Sequence, residues 1–408
     1  MHLSWVEGAK ALRILCSCLP GYGHFNPLVP LARAAQRAGH EVVFATAAEF
    51  CPRVAAAGFE AHPAGLGMAA QMQEARRRFP DEHAMAPGKP RFEAFVPRML
   101  GGVAAPARLA DLIPLVDGWR PSVVLHDEAE FAAPVAASVA GAPWASHSVV
   151  LRRPRSMARL AAEILAPVAG RHGVDAGDTG GLYRYLHFDA CPPALQPVDA
   201  PVIPVAHLIR NTEDLDTVAG DRLPDWVGKL PARPTVYVTL GTLFNRKRAV
   251  LRSLLEALGG RPYNVIATVG AENVTALGPQ PPNVHLVDYL PLSLLVDRLD
   301  VVVTQGGTSI LPALGAGVPL LVVPQAADQF HNAEACVRAG VGLRLLPEQL
   351  DPQAVARDVE RLTDERFFAN AARRVGGEIA AMPGPDAGLG LLERLAIERR
   401  PIFGPEAR

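Results

Sequence analysis

One histidine in this chain sits where an imidazole can do chemistry. It belongs to Gly21-Tyr22-Gly23-His24-Phe25-Asn26-Pro27, and imidazole is the side chain that gains or loses a proton near neutral pH. A second group lies far along the chain, in Val301-Val302-Val303-Thr304-Gln305-Gly306-Gly307-Thr308-Ser309. Glycines that lead from a strand into a helix suit an anion. The free N–H groups and the dipole of the helix start point outward, and a phosphate can approach backbone that lacks Cβ. Pro312 falls in the first turn of that helix, where its missing N–H breaks no helical bond but removes one phosphate donor. A third group, Val323-Pro324-Gln325-Ala326-Ala327-Asp328-Gln329, sets a carboxylate beside an amide, a pair that can hold several hydroxyls at once, as on a sugar.

Each group has a plainer alternative. A glycine turn with a histidine often serves only the turn. Gly306-Gly307 could be a tight turn alone, and Asp328-Gln329 could cap a helix starting near Asn332.

The elements that must position these residues follow from periodicity. The apolar run Leu12–Leu19 predicts a strand, Leu28–Ala38 a helix and Glu41–Thr46 a second strand, so His24 lies in the turn of a βαβ unit. That turn is at the carboxyl end of the first strand, where open α/β sheets bind ligands. A short strand is expected at Phe59–Pro63, a helix at Ala104–Asp117, and a buried strand from Ser122 that ends in the polar pair His126-Asp127. A helix at Phe131–Ala140 and a strand at 145–150 follow. Two stretches break the alternation. Residues 65–99 read as a long loop with one or two helices, and Leu151–Ala190 as irregular chain with Arg152, Arg153, Arg155 and Arg159.

Prolines then cluster between Pro192 and Pro234 and mark connecting chain. We place the linker within 208–232, taking 1–212 as the first domain, 213–232 as the linker and 233–408 as the second, whose last helix packs back on the first. Strands are expected at Thr235–Leu240, Tyr263–Thr268, Val284–Val287, Val301–Thr304 and Leu320–Pro324. Helices are expected at Ala249–Ala257, Ile310–Ala316, Asn332–Ala339 and Pro352–Arg361. The fold class is α/β: two doubly wound Rossmann-like halves whose strand ends face each other across a cleft.

Bulk properties exclude other classes. A chain of 408 residues suggests two domains, and 49% hydrophobic with 20% charged residues is a globular balance. A net charge of −1 gives no basic excess for nucleic acid or for an anionic membrane. No uninterrupted apolar stretch is long enough to span a bilayer, and Met1–Lys10 lacks the basic start and apolar core of a signal peptide. The five cysteines (Cys16, Cys18, Cys51, Cys191 and Cys336) are odd in number and scattered, so they are expected to be free in a reducing cytoplasm. Cys16 and Cys18 share one strand face, which suits buried packing better than a metal without a second pair.

The chain resembles a GT-B glycosyltransferase of family 1, the bacterial macrolide or natural-product type. The resemblance runs nearly the whole length through Gly21-Tyr22-Gly23-His24, Gly39-His40-Glu41-Val42, His126-Asp127, Thr239-Leu240-Gly241-Thr242 and Gly306-Gly307 to Gly317-Val318-Pro319. Pro324 to Asp328-Gln329, with Asn332-Ala333, is its most specific part.

The resemblance implies a GT-B fold and the following roles. His24 is the general base that takes a proton from the acceptor. Asp127 holds the other ring nitrogen; its alternative is an N-cap before Phe131. Glu130 is a weaker candidate for that role or for acceptor contact. Gly241, Thr242 and Gln305, Gly306, Gly307, Thr308 and Ser309 bind the donor diphosphate. Asp328 and Gln329 bind sugar hydroxyls, and backbone from Val287 to Leu290 holds the base. The acceptor lies in the first half, between 65–99 and 151–190, where Phe79, Met85, Phe92, Phe95 and Met99 could line an apolar pocket or simply pack their loops. His147 is an acceptor-side candidate. Arg76-Arg77-Arg78 is a solvated face or a contact for an acidic acceptor.

One departure stands out. The family usually carries a histidine before the two glycines, bonded to the diphosphate; here Thr304 and Gln305 occupy that place. Gln305 retains one neutral hydrogen bond, roughly half as strong as a charged one. An alternative register puts Thr304 at the histidine and Ser309 at a phosphate-binding threonine.

The expected reaction is inverting transfer of a sugar, a deoxysugar by the resemblance, from a nucleotide diphosphate to a hydroxyl of a small apolar acceptor. The partners are that donor, dTDP-linked in preference to UDP-linked, and the acceptor. No other cofactor and no metal are expected, since no His/Cys cluster or paired aspartates have ligand spacing. A homodimer is compatible with the sequence, which does not fix the oligomeric state. Alternatives are a catalytically weak auxiliary or nucleotide-binding partner protein, and a sugar-nucleotide epimerase or hydrolase on the same fold.

Overall fold

The computed structural model describes residues 11–198, 200–211, 222–241 and 247–405. Among these, thirteen strands form two separate, wholly parallel sheets. The first sheet has the order β3-β2-β1-β4-β5-β6-β7 and the second β10-β9-β8-β11-β12-β13. Each reverses direction of growth beside its first strand, which opens a crevice at the strands' carboxyl ends. These are two Rossmann-like α/β domains.

In the first sheet β1 is Arg13–Ser17, β2 Glu41–Thr46, β3 Glu60–Pro63, β4 Val123–Asp127, β5 Trp144–His147, β6 Leu186–Asp189 and β7 Ala206–Leu208. Strands β4, β5 and β6 are buried along their whole length. Such strands read as near-continuous apolar runs because helices cover both faces. The polar residues that interrupt these runs sit at the carboxyl ends. Register pairs Ser17 with His126 and Asp127 with His147, so the turn after β1 is delivered beside Asp127. Helix Val29–Arg37 then carries the chain back, with Pro30 in its first turn.

The second sheet contains β8 Thr235–Thr239, β9 Asn264–Thr268, β10 Val284–Val287, β11 Val301–Thr304, β12 Leu320–Val322 and β13 Gly342–Arg344. Helices Arg248–Leu258, Pro352–Asp364 and Arg366–Ala381 cover its faces. Asp351 caps Pro352–Asp364 by accepting from the amides of Gln353 and Ala354. The last helix, Pro385–Glu398, leaves this domain and packs on Val29–Arg37, where Leu389, Leu392 and Leu395 join the core of the first sheet.

Several expectations need correction. Residues 151–190 are not irregular: they hold the sixteen-residue helix Arg155–Gly170 and strand β6. Met157, Ala158, Ala161, Ala162 and Leu165 form its buried stripe at helical spacing. Residues 65–99 contain three helices, Met68–Arg78, Pro80–Ala84 and Lys89–Met99. The strand expected at 145–150 ends at His147, and the helix expected from Asn332 begins at Gln329. The linker expected at 208–232 overlaps the last residue of β7 at its start, and its residues 212–221 lie outside the described residues.

The helix that starts at Lys89 continues through a π-helical turn at Leu100–Ala104 to Trp119. By length and hydropathy this stretch could cross a bilayer, contrary to the expectation that none would. It is instead a core helix. Its apolar window is 61% buried, and Leu100, Val103, Leu109, Leu112 and Val116 pack into the core beneath the sheet. Arg108, fully enclosed on it, reaches Ser17 Oγ and the carbonyls of Ala45 and Ala64, each at 3.0 Å.

Helix Lys89–Met99 also meets helix Gln329–Arg338 of the second domain. His331 Nε2 lies 2.9 Å from Glu93 Oε1, Lys89 pairs with Glu334, and the Phe92 ring packs at 5.6 Å from the His331 ring.

Candidate active site

His24 and Asp127 are brought together by the neighbouring strands β1 and β4. His24 Nδ1 lies 3.2 Å from Asp127 Oδ1, and the imidazole is about a quarter exposed while the carboxylate is enclosed. Asp127 also accepts from the amides of Leu19 at 2.9 Å and Ala129 at 2.7 Å. Burial alone would raise its pKa, but the His24 ring and these amides hold it below the ordinary carboxylate value. The ionised carboxylate fixes Nδ1 as the donor, leaving Nε2 as the nitrogen that can take a proton. The helix-cap alternative for Asp127 does not hold: Phe131 precedes helix Ala132–Val139, and Glu130 does the capping.

Glu130 is enclosed within the fold. Its Oε2 accepts from Ser17 Oγ at 2.8 Å and the Ala133 amide at 3.0 Å, and its Oε1 accepts from the Ala132 amide at 2.8 Å. Arg108 Nε stands 3.2 Å from Oε1, with both side chains fully buried. Three hydrogen bonds and the neighbouring guanidinium thus engage both oxygens inside the fold.

His147 is likewise enclosed. Its Nδ1 is 2.7 Å from the Ser148 carbonyl, and burial lowers its pKa to about 4, so the ring stays neutral. Phe95 sits in the apolar core and Phe79 packs against it, Phe92 is buried against His331, and Met85 is partly exposed. The structure therefore spreads the apolar candidates over several packing sites, and none of them lines the pocket at Glu128.

A residue between the two conspicuous acids was missed. Glu128 is 2% exposed; its Oε1 lies 3.3 Å from Arg153 Nε and accepts weakly from the Val149 amide at 3.4 Å. Burial pushes its pKa up to about 7 against the opposing pull of Arg153. Both residues line a small, partly open pocket of about 20 Å³, walled by Leu100, Phe131, Met157, Leu182 and Tyr183. The arginine run at 152–159 was visible in the sequence; the carboxylate facing it was not.

The donor side is built on β11 and β12. Gly306 has φ +93°, and a Cβ there would lie 2.7 Å from Val322 Cγ1, so only glycine fits. Asn332 Nδ2 donates to the Gly306 carbonyl at 2.8 Å and holds the turn. Thr304 is fully buried, with its hydroxyl 2.7 Å from Ser309 Oγ, 3.0 Å from Gln305 Oε1 and 3.1 Å from the Gly306 amide. It is thus occupied within the loop, which disfavours the register that puts Thr304 at the histidine. Gln305 turns its Nε2 into the gap between Gly241 and Gly307: ideal Cβ positions on those glycines lie 2.4 and 3.0 Å from it. Thr308 faces across the cleft, 3.8 Å from where a Cβ of Gly23 would be. The histidine turn and the donor turn therefore meet. Thr242 lies outside the described residues.

Asp328 stays partly exposed and accepts from Asn332 Nδ2 at 3.2 Å. Gln329 is buried and its Oε1 accepts from the amides of Gln325 and Ala326 at 2.7 and 3.0 Å, which leaves its NH₂ rather than its carbonyl for a sugar. Ala327, just before, has φ +54°, a strained setting for a residue with Cβ. Of the backbone expected to hold the base, the Val287 carbonyl accepts from the Val269 amide at 3.0 Å, and the Leu290 side chain is in the core. Lys247 was not anticipated; its Nζ donates to Gln325 Oε1 at 3.2 Å and brings a cation to this loop. Among the described residues no group of three or more His, Cys, Asp or Glu is placed to hold a metal.

Comparison with known proteins matches residues 33–241 to the N-terminal domain and residues 252–395 to the C-terminal domain of the erythromycin biosynthesis protein CIII-like family. The chain belongs to this family. It is a glycosyltransferase of natural-product biosynthesis, of the bacterial family 1 type, with the GT-B fold. It is 33% identical to L-demethylnoviosyl transferase of Streptomyces niveus over 397 residues, covering 95% of this chain and 99% of that one. Among solved structures it resembles the glycosyltransferase VinC in complex with dTDP, with 27% identity, 95% and 100% coverage and a TM-score of 0.74. It also resembles the spinosyn rhamnosyltransferase SpnG, with 26% identity, 94% and 100% coverage and a TM-score of 0.79. This glycosyltransferase moves a sugar to an acceptor.

Proposed function

We propose that the glycosyltransferase moves a deoxysugar from a dTDP-linked donor to a hydroxyl of a small apolar natural product, with inversion at the anomeric carbon. The observation that carries this reading is the His24–Asp127 pair, 3.2 Å apart, in a turn facing the donor loop at Thr308. His24 Nε2 takes the acceptor proton as the oxygen attacks from the face opposite the diphosphate. Asp127 stabilises the imidazolium that forms. Charge growing on the diphosphate is met by Gln305 Nε2, the amides of Gly307, Thr308 and Ser309, and Lys247. Asp328 and the Gln329 NH₂ hold sugar hydroxyls. The acceptor-side unit is residues 1–212 and the donor-side unit 233–408. The chemistry needs no metal in this scheme.

Relatives support the donor choice. The chain resembles aclacinomycin-T 2-deoxy-L-fucose transferase of Streptomyces galilaeus and 10-deoxymethynolide desosaminyltransferase of Streptomyces venezuelae. SpnG has been solved both with thymidine diphosphate and with spinosyn aglycone. Thermal-shift titration with dTDP, UDP and GDP, with and without Mg²⁺, tests the reading. A selective rise in melting temperature with dTDP that ignores Mg²⁺ is expected, because a ligand of the folded state stabilises it by mass action. No shift with any nucleotide at millimolar concentration would sink it in favour of an auxiliary role.

A further inference from the structure

The pocket at Glu128, one residue on from Asp127, holds a carboxylate among mainly apolar walls. Glu128 Oε2 is enclosed and has no hydrogen-bond partner among the described residues. Its other oxygen faces Arg153, and the walls around both are Leu100, Phe131, Met157, Leu182 and Tyr183, whose phenol feels the charge of Glu128. Buried polar atoms are nearly always paired, and an unpaired one marks a missing partner. An unpaired carboxylate oxygen calls for an O–H or N–H donor. The pocket also belongs to the reaction cleft. Glu128 follows Asp127 directly, and the charge of Asp328 on the donor loop acts on Arg153.

We propose that Glu128, held by Arg153, is the polar anchor of the acceptor subsite. It accepts a hydrogen bond from a second hydroxyl or amine of an otherwise apolar acceptor, distinct from the hydroxyl that His24 activates. The acceptor class is therefore an apolar body with at least two hydrogen-bond donors, one glycosylated and one held. This rests on the glycosyl-transfer reading and adds the acceptor's second contact. An acceptor without the second donor leaves the carboxylate oxygen unsatisfied and binds more weakly.

The test uses 2,7-dihydroxynaphthalene and 2,7-dimethoxynaphthalene, which share a ring system while the diether lacks both O–H donors, with binding to the full chain followed by ligand-observed NMR. His24→Ala serves as the background, so that the general base cannot supply the preference. The diol should bind about tenfold tighter than the diether in that background. Adding Glu128→Leu should erase the difference, and Glu128→Gln should reduce it. Equal binding of the two probes to His24→Ala, retention of the preference in the double variant, or failure of the diol to bind at millimolar concentration would each overturn the proposal. Melting shifts with dTDP on the same samples report the folded donor site separately. A lost preference with an intact dTDP shift is thus a failure of the anchor's role in that variant, whereas a lost dTDP shift in the unaltered protein is a failure of the donor reading.

Discussion

Arg108 Nε and Glu130 Oε1 stand 3.2 Å apart with both side chains fully enclosed. Ser17 Oγ bridges them, 3.0 Å from Arg108 and 2.8 Å from Glu130. This network ties the end of β1, the start of helix Ala132–Val139 and the long helix through Arg108 into one unit. It fixes where the His24 turn begins. Removing one partner leaves a buried uncompensated charge, which costs about 3–5 kcal/mol. Glu130→Ala should therefore lower the melting temperature sharply, while the paired exchange Arg108→Met with Glu130→Leu should recover much of the loss. A double variant as unstable as the single one would show that the ion pair is not the source.

His24→Ala should cut kcat by ~10²- to 10⁴-fold, the usual contribution of a positioned general base. It should leave dTDP affinity unchanged, because His24 contacts the acceptor. Asp127→Asn should also lower kcat, since an amide can donate where the carboxylate only accepts and so favours the wrong tautomer. Steady-state rates beside dTDP titrations check both. Loss of nucleotide binding in either variant would count against the assignment.

Glu128 sets a pH dependence of stability. Its folded pKa of about 7 lies above the ordinary glutamate value of 4.5, with burial as the cause. The folded state then binds a proton more tightly than the unfolded chain, so stability falls as pH rises from about 4.5 to 7. Glu128→Gln should flatten that slope, by at most ~3 kcal/mol across the window. Chemical denaturation at pH 5 and pH 8 measures it. Identical slopes for the two proteins would contradict the raised pKa.

In the proposed donor site Lys247, bonded to Gln325, adds a cation that Gln305 lacks. Lys247→Met should weaken dTDP binding by ~10-fold or more, the scale of one charge-assisted hydrogen bond. Gly241→Ala should weaken it as well, because its Cβ would fall 2.4 Å from Gln305 Nε2 at φ +66° and drive the amide out of the gap. Calorimetric titration of dTDP decides each case, and unchanged affinity in Lys247→Met would remove that residue from the donor site.

The βαβ unit around His24 was legible because an apolar run, a glycine turn and a helix stripe occur in fixed order. The strand ending in Asp127 was legible for the same reason, and both Rossmann halves followed from repeated alternation. Helix Arg155–Gly170 was hidden by its arginines and by Pro167 inside it. Its stripe of alanines carries little hydrophobic contrast, so period was masked by composition. Glu130 and Glu128 show a different limit. Both are acids near the end of β4, yet one is saturated by Arg108, Ser17 and two amides, and the other has an oxygen unmatched. That difference depends on partners 20 to 110 residues away, which local pattern cannot report. Gln305 and Thr304 likewise exchanged significance only once the hydroxyl of Ser309 was seen to engage Thr304.

The bridge from Glu93 and Lys89 to His331 and Glu334 joins the helix leading into the acceptor pocket to the helix that starts beside Asp328. In the proposed reaction this contact is a route by which seating one substrate acts on the other, and any such linkage is reciprocal: whatever factor a well-seated sugar adds to acceptor binding, the acceptor returns to the sugar. Screening acceptors with a foreign donor would then rank them on the wrong scale. The sugar and the aglycone of this enzyme should be identified as a pair.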